Sequence, residues 1–282
     1  MAIKTKRKLI LVLIFLGLLI FGLNIHSNLK NNTDFHRADT LNWITTSKGS
    51  LHLKTYKNVN TQDSVNLVIV IHGDAPFEKP DYQYHFAENI ARQNKNTIAI
   101  GILRPGYTDP DNNTSNGIKG FTTGDNYTLA VNEAIAEAIL QLKKSYHPIK
   151  TILIGHSGGA AIAGDIIGLK PNLVNSAILV SCPCNLPEWR KYMHTKQMLN
   201  LAWWFNFQSI SPIAVADSIS EETEVTIVVG DKDDVAPVYL SKEYYDKLKS
   251  LNKKCKLVLI PNEGHEILLN DKVMNEVRDL IN

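Results

Sequence analysis

Three cysteines in 282 residues are too few for a disulfide framework, and none has the Cys/His spacing of a metal site, so no metal is expected. Charge of one sign is scarce as well. The formal net charge is +2, and Lys4, Lys6, Arg7 and Lys8 crowd the first eight positions, leaving −2 for the remainder. No basic surface for nucleic acid follows from that balance, so no nucleic-acid partner is expected. The chain shows no internal repeat, low-complexity tract, glycine-rich phosphate loop or nucleotide fingerprint, and no cofactor is expected.

Those four basic residues lead into Leu9 to Leu23, fifteen residues without a polar side chain. A basic flank before such a run marks a signal peptide or an uncleaved signal anchor. At about 1.5 Å per residue the run extends about 22 Å, short of the roughly 30 Å hydrocarbon core, and Asn24-Ile25 lengthen it slightly. No A-x-A-like site follows, the nearest match being Ile25-His26-Ser27. That favours a transmembrane signal anchor over residues 1–25, with secretion after cleavage as the alternative. Basic residues stay on the cytoplasmic side, so the remainder is expected outside. Residues 26–39 are polar and read as a linker, which leaves residues 40–282 for the folded domain.

The composition, 44% hydrophobic and 21% charged, is that of a globular domain with a sizeable core. Leu41 to Tyr56 holds two short β-type runs around Ser47-Lys48-Gly49-Ser50, a hairpin signal. Val65–Ile71, Thr97–Leu103, Thr151–Ile154, Ala177–Val180, Val225–Val229 and Lys256–Ile260 are continuous apolar runs, as in strands buried on both faces. Helical patterns lie between them at Tyr82–Gln93, Asn126–Tyr146, Gly158–Leu169, Val238–Leu251 and Asp271–Ile281. This alternation predicts an α/β fold with a mostly parallel sheet and helices on both faces. An insertion at about 185–220 breaks the rhythm and carries Trp189, Trp203, Trp204, Phe205 and Phe207. It reads equally as a cap over an apolar pocket and as a small core of its own.

Gly155-His156-Ser157-Gly158-Gly159 follows the apolar run Thr151–Ile154 and precedes a small-residue helix, the strand–turn–helix context that gives G-x-S-x-G its meaning. The sharp turn exposes Ser157 Oγ, and a Cβ at 155 or 159 is expected to collide with the neighbouring strand or helix. A serine needs a histidine base and a carboxylate to orient it, in the chain order Ser, acid, His. Val225–Val229 ends at Gly230-Asp231-Lys232-Asp233-Asp234, and Lys256–Ile260 runs into Pro261-Asn262-Glu263-Gly264-His265. Parallel strands carry both loops to the sheet edge that bears Ser157.

These residues resemble an α/β-hydrolase of the serine esterase/peptidase superfamily, over a span from about residue 40 onward. The family's G-x-x-D turn with a following proline is matched by Gly230, Asp233 and Pro237, which favours Asp233 over Asp231 and Asp234. Its Gly-His pair is matched by Gly264-His265, and its His-Gly oxyanion loop by Ile71-His72-Gly73-Asp74. Arg104-Pro105-Gly106-Tyr107 resembles the loop after the next strand, and His72 reads as structural. The resemblance implies Ser157 as nucleophile, His265 as base and Asp233 as orienting acid, with Gly158 and Asp74 giving the oxyanion N–H groups. A carboxylate at 74 departs from the pattern and suits this role only if its side chain points away from the oxyanion. His156, Trp203 and Trp204 are the candidate substrate contacts. The implied activity is cleavage of a carboxylic ester or related acyl bond in a small-molecule substrate, carboxylesterase-like more than peptidase. The same triad serves a serine peptidase or thioesterase, and a catalytically silent binding protein is the alternative of a different class. Cys255 should sit at the opposite sheet edge from Cys182 and Cys184, beyond disulfide reach. Cys182 and Cys184 either close a small ring or remain packed thiols.

Overall fold

Apolar runs without alternation become strands covered on both faces. The computed structural model describes residues 36–37, 42–58, 64–197 and 208–282. The chain divides into residues 1–36 and a compact unit, Arg37–Asn282. In chain order the strands are β1 (His36–Arg37), β2 (Trp43–Thr46), β3 (Gly49–Asn58), β4 (Asn66–Ile71), β5 (Thr97–Ile102), β6 (Lys150–His156), β7 (Ser176–Val180), β8 (Glu224–Gly230) and β9 (Cys255–Ile260). The sheet order is β1-β3-β5-β4-β6-β7-β8-β9, with β2 pairing β3. β2 and β3 form the expected hairpin, and β3 runs antiparallel to β5. From β5 to β9 every pairing is parallel. The sheet is therefore mostly parallel, as the alternation predicts.

Every residue of β4, β5 and β7 is buried, so neither face of these strands meets water. The covering helices are α1 (Tyr82–Gln93), α2 (Leu129–Tyr146), α3 (Gly158–Leu169), α4 (Leu186–Lys196), α5 (Val238–Ser250) and α6 (Asp271–Ile281). α2 starts three residues later than its apolar pattern. Asn126 Nδ2 donates to the Ile118 carbonyl and the Tyr127 hydroxyl to Asp74, so both are drawn into a loop. Thr128 then caps the helix by accepting from the Val131 N–H. Among its described residues the insertion supplies α4 and two 3₁₀ turns, Pro212–Ala214 and Ala216–Ser218.

Leu9 to Leu23, Trp203 and Trp204 lie outside the described residues. Among the described residues no helix is long and apolar enough to cross a membrane. Cys182 and Cys184 are joined by a disulfide, with Cα atoms 5.1 Å apart, and Cys255 is unpaired at the start of β9. Of the two readings open in the sequence, the ring is the one formed. The C-terminal ends of β4, β6, β7, β8 and β9 point the same way, so the loops that follow them gather at one edge.

Candidate active site

Ser157 stands between β6 and α3 with φ 53° and ψ −120°, a conformation that L-residues rarely adopt. Its N–H donates to the Val180 carbonyl at the end of β7, at 2.8 Å. Both flanking glycines are sterically required. A Cβ at Gly155 would lie 2.2 Å from the Gly159 carbonyl oxygen, inside α3. One at Gly159 would lie 2.4 Å from the His72 oxygen and 2.5 Å from that of Ile71, at the end of β4. Helix and strand thus approach the turn too closely for any side chain there.

His265 Nε2 lies 2.8 Å from Ser157 Oγ. Its Nδ1 lies 3.0 and 2.9 Å from the two carboxylate oxygens of Asp233. The Asp233 side chain is fully buried and also accepts the N–H groups of Val235 (2.9 Å) and Ala236 (2.8 Å), which fixes its plane. The neighbouring acids do other work. Asp231 accepts the Asn262 N–H at 2.7 Å and staples the histidine loop, while Asp234 is exposed and pairs with Lys196 at 2.8 Å. Gly230 lets that loop cross the end of β8, since a Cβ there would lie 2.3 Å from the Glu263 oxygen.

Opposite the nucleophile, Gly73 packs against the elbow, where a Cβ would lie 3.0 Å from Ser157 Cβ. Among the described residues no hydrogen bond engages the N–H of Asp74 or Gly158. The Asp74 carboxylate is turned into the protein. Oδ1 accepts from Arg104 Nη1 at 2.8 Å, and Oδ2 accepts from the Tyr127 hydroxyl at 2.5 Å and the Gly124 N–H at 2.8 Å. Burial opposes the Arg104 charge, yet Tyr107, Asp74 and Tyr127 outweigh it and the guanidinium pKa is raised. Burial and the Asp74 charge push the Tyr127 hydroxyl well above its ordinary range, so it keeps the proton that it donates. The carboxylate that departs from the family pattern is therefore neutralised by its own buried partners. His72 is structural: Nδ1 donates to the Gly73 carbonyl at 2.7 Å and Nε2 accepts the Arg104 N–H at 3.0 Å. Burial, reinforced by Arg104, holds its pKa well below the ordinary histidine value.

His156 is buried beneath His265, its ring 5.2 Å away centre to centre. Both its nitrogens are engaged inside the protein: Nδ1 with the Tyr82 hydroxyl at 3.1 Å, Nε2 with the His265 carbonyl at 3.0 Å. Burial, then the nearby His265, lowers its pKa. Of the three proposed substrate contacts it is the one described; it lines the cavity at Ser157, while its nitrogens meet α1 and the histidine loop. The ligand atoms of His156, His265 and Glu266 lie within 4.8 Å of one another, the sole such triplet among the described residues. The ring nitrogens are already committed, so this group fits a metal poorly. Trp189 was visible in the sequence only as part of an aromatic cluster. Its Nε1 donates to the Val235 carbonyl at 2.8 Å, and a Cβ at Gly124 would lie 2.3 Å from its ring. It thereby ties the acid loop to the loop that holds Asp74. Tyr82, Tyr127 and Ser181 carry no catalytic motif, and sequence reasoning gives them no part in the site.

The site opens into a cavity of about 330 Å³ lined by Asp74, Tyr82, Thr123, Ser157, Val235 and His265, among others. A nucleophile and a base facing one cavity, with the unengaged N–H groups of Asp74 and Gly158 beside the nucleophile in the chain or in space, form a set that can run acyl transfer.

Residues 131–282 match the prolyl oligopeptidase family, a segment that includes Ser157, Asp233 and His265. No curated protein sequence matches the chain. Among solved structures, the acylaminoacyl peptidase of Pyrococcus horikoshii is similar at 11% identity and a TM-score of 0.66, over 90% of this chain and 41% of that one. The chain thus spans less than half the length of that peptidase. Esterase Pf2001 of Pyrococcus furiosus is similar at 16% identity and a TM-score of 0.64, over 87% and 91% of the two chains. Est1E of Butyrivibrio proteoclasticus, with ferulic acid bound, is similar at 18% identity and a TM-score of 0.64, over 85% and 98%. At these identities the shared property is the fold.

Proposed function

Because the chain belongs to the prolyl oligopeptidase family and is a serine hydrolase, we propose that it cleaves a carboxylic ester of a small-molecule substrate through an acyl-enzyme on Ser157. The observation that carries this reading is the unbroken line Ser157 Oγ to His265 Nε2, 2.8 Å, and His265 Nδ1 to Asp233, 2.9 Å. Ser157 Oγ attacks the carbonyl carbon while His265 Nε2 takes its proton. The developing oxyanion is received by the N–H groups of Gly158 and Asp74, helped by the positive end of α3. The tetrahedral intermediate collapses and expels the alcohol, which leaves with the proton from His265. Water, deprotonated by the same nitrogen, then attacks the acyl-enzyme, releases the carboxylic acid and restores Ser157. Asp233 keeps Nδ1 protonated and stabilises the imidazolium.

Ester over amide is supported by the near-complete coverage of the two esterases. The family itself and the acylaminoacyl peptidase favour peptide cleavage as the second reading, on the same three residues. We further propose a location: residues 1–25 anchor the chain with the catalytic domain outside the cytoplasm, on the support of the basic flank and apolar run.

A fluorophosphonate probe tests the chemistry. The purified chain is expected to be labelled at Ser157, and Ser157→Ala to lose both labelling and ester turnover. An unlabelled wild-type chain would leave the silent binder standing. Esters, thioesters and aminoacyl amides, compared by kcat/KM, then separate the esterase from the peptidase.

A further inference from the structure

An imidazole on a loop swings unless its backbone is held, and His265 must meet Ser157 and Asp233 at once. Its carbonyl oxygen accepts from three donors, the Ile267 N–H at 3.0 Å within its own loop, and Ser181 Oγ at 2.8 Å and His156 Nε2 at 3.0 Å from outside it. A carbonyl only accepts, so His156 carries its proton on Nε2 and leaves Nδ1 bare. That lone pair accepts from the Tyr82 hydroxyl at 3.1 Å. The Tyr82 oxygen in turn accepts the Gly73 N–H at 2.5 Å. Every proton points one way, from Gly73 through Tyr82 and His156 to the His265 carbonyl. The path begins one residue before Asp74, whose N–H is assigned to the oxyanion in the proposed mechanism, and ends on the residue proposed as the base. It passes through the residue before the nucleophile.

We propose that Tyr82 is a positioning residue for acyl transfer, its hydroxyl locking the oxyanion loop, the nucleophile turn and the histidine loop into a single register. The proposal rests on the serine hydrolase reading of Ser157. Tyr82 is the first residue of α1, so the helix itself anchors the ring, which packs edge-on to His156 with centres 5.5 Å apart. Burial raises the pKa of the hydroxyl and lowers that of His156, which preserves the donor on one side and the acceptor on the other. A side chain that merely filled space would need the ring and not the oxygen.

Tyr82→Phe removes that oxygen alone. In the detergent-solubilised full chain, the rate of Ser157 labelling by the fluorophosphonate probe is expected to fall about 10- to 100-fold, the scale of a misplacement of about 1 Å. The deshielded Nδ1 proton of His265 is expected to shift in the NMR spectrum. His156→Gln keeps a donor toward the His265 carbonyl and an acceptor toward Tyr82, whereas His156→Leu keeps neither, so Gln should label faster than Leu. This pair decides the matter if Tyr82→Phe does not fold. A Tyr82→Phe chain that labels at the wild-type rate with an unmoved resonance overturns the proposal, as do equal rates for Gln and Leu. If the wild type itself does not label, the hydrolase reading has failed instead. The resonance then tests the register alone: a shift keeps Tyr82 as the lock on the His265 loop without acyl transfer, and no shift removes that as well.

Discussion

Ser157 pairs a positive φ with ψ −120°, a strain of about 1–3 kcal/mol that persists only where neighbours over-determine it. The neighbours are the N–H bond to Val180 and the two glycines, one against α3 and one against β4. Gly159 makes the sharper test. Its missing Cβ faces two backbone carbonyls, which cannot swing aside as a side-chain tip would. Gly159→Ala is expected to lower stability by about 1–3 kcal/mol, the usual cost of overpacking, and to push the end of β4 and hence Asp74 out of place. Denaturant midpoints and probe labelling measure the two effects, and a variant that matches the wild type in both would refute the steric account. The same scale explains Asp74. As a letter in the sequence it threatens the oxyanion site, but Arg104, Gly124 and Tyr127 absorb its charge. Those partners come from positions 30, 50 and 53 residues away, and no local pattern announces them.

Within elements, α3 holds a buried acid that catalysis does not use. Asp165 is fully buried, and burial raises its carboxyl pKa well above 3.8, only partly offset by the Asn132 amide at 3.3 Å. A folded-state pKa above the unfolded one means that the fold holds the proton longer. The stabilisation is complete below about pH 3.8 and is lost as pH rises through the folded value. Each pH unit that separates the folded and unfolded values is worth about 1.36 kcal/mol. Asp165→Asn, neutral at every pH, should therefore melt above the wild type at pH 8, with the gap closing toward pH 4. Melting curves across that range check it, and a constant gap would contradict the assignment. Most elements were legible because both faces of the sheet are covered from β4 to β8, which therefore appear as unbroken apolar runs. β9 shows the same run, but it lies at the edge and of its residues only Ile260 is buried, so burial on both faces does not hold there. Glycines and acids at strand ends pointed to Ser157, Asp233 and His265 for the same reason, since parallel strands send those ends to one edge. The start of α2 was misjudged because Asn126 and Tyr127 fit the helical period while their side chains bind elsewhere. Tyr82 escaped notice because an opening helix residue with an aromatic ring reads as core, and only tertiary pairing reveals the use of its oxygen.

For the whole molecule, the proposed anchor predicts where the chain is found. The full chain should sediment with membranes and resist a high-salt wash, with a protease added outside reaching the catalytic domain. A mature N-terminus at Asn28 in membrane-free medium would replace the anchor with a cleaved signal. The order of the parts along the chain has a consequence in time. Ser157 and His265 are 108 residues apart, and His265 follows β9, which among the described strands pairs with β8 alone. Ribosomes add roughly 5–20 residues per second, so the nucleophile turn exists for several seconds before its base has been made. A chain halted anywhere in that interval carries an exposed serine with no means of activating it. On the proposed mechanism the nascent chain stays inert toward its surroundings until the loop after the last strand brings His265 to Ser157.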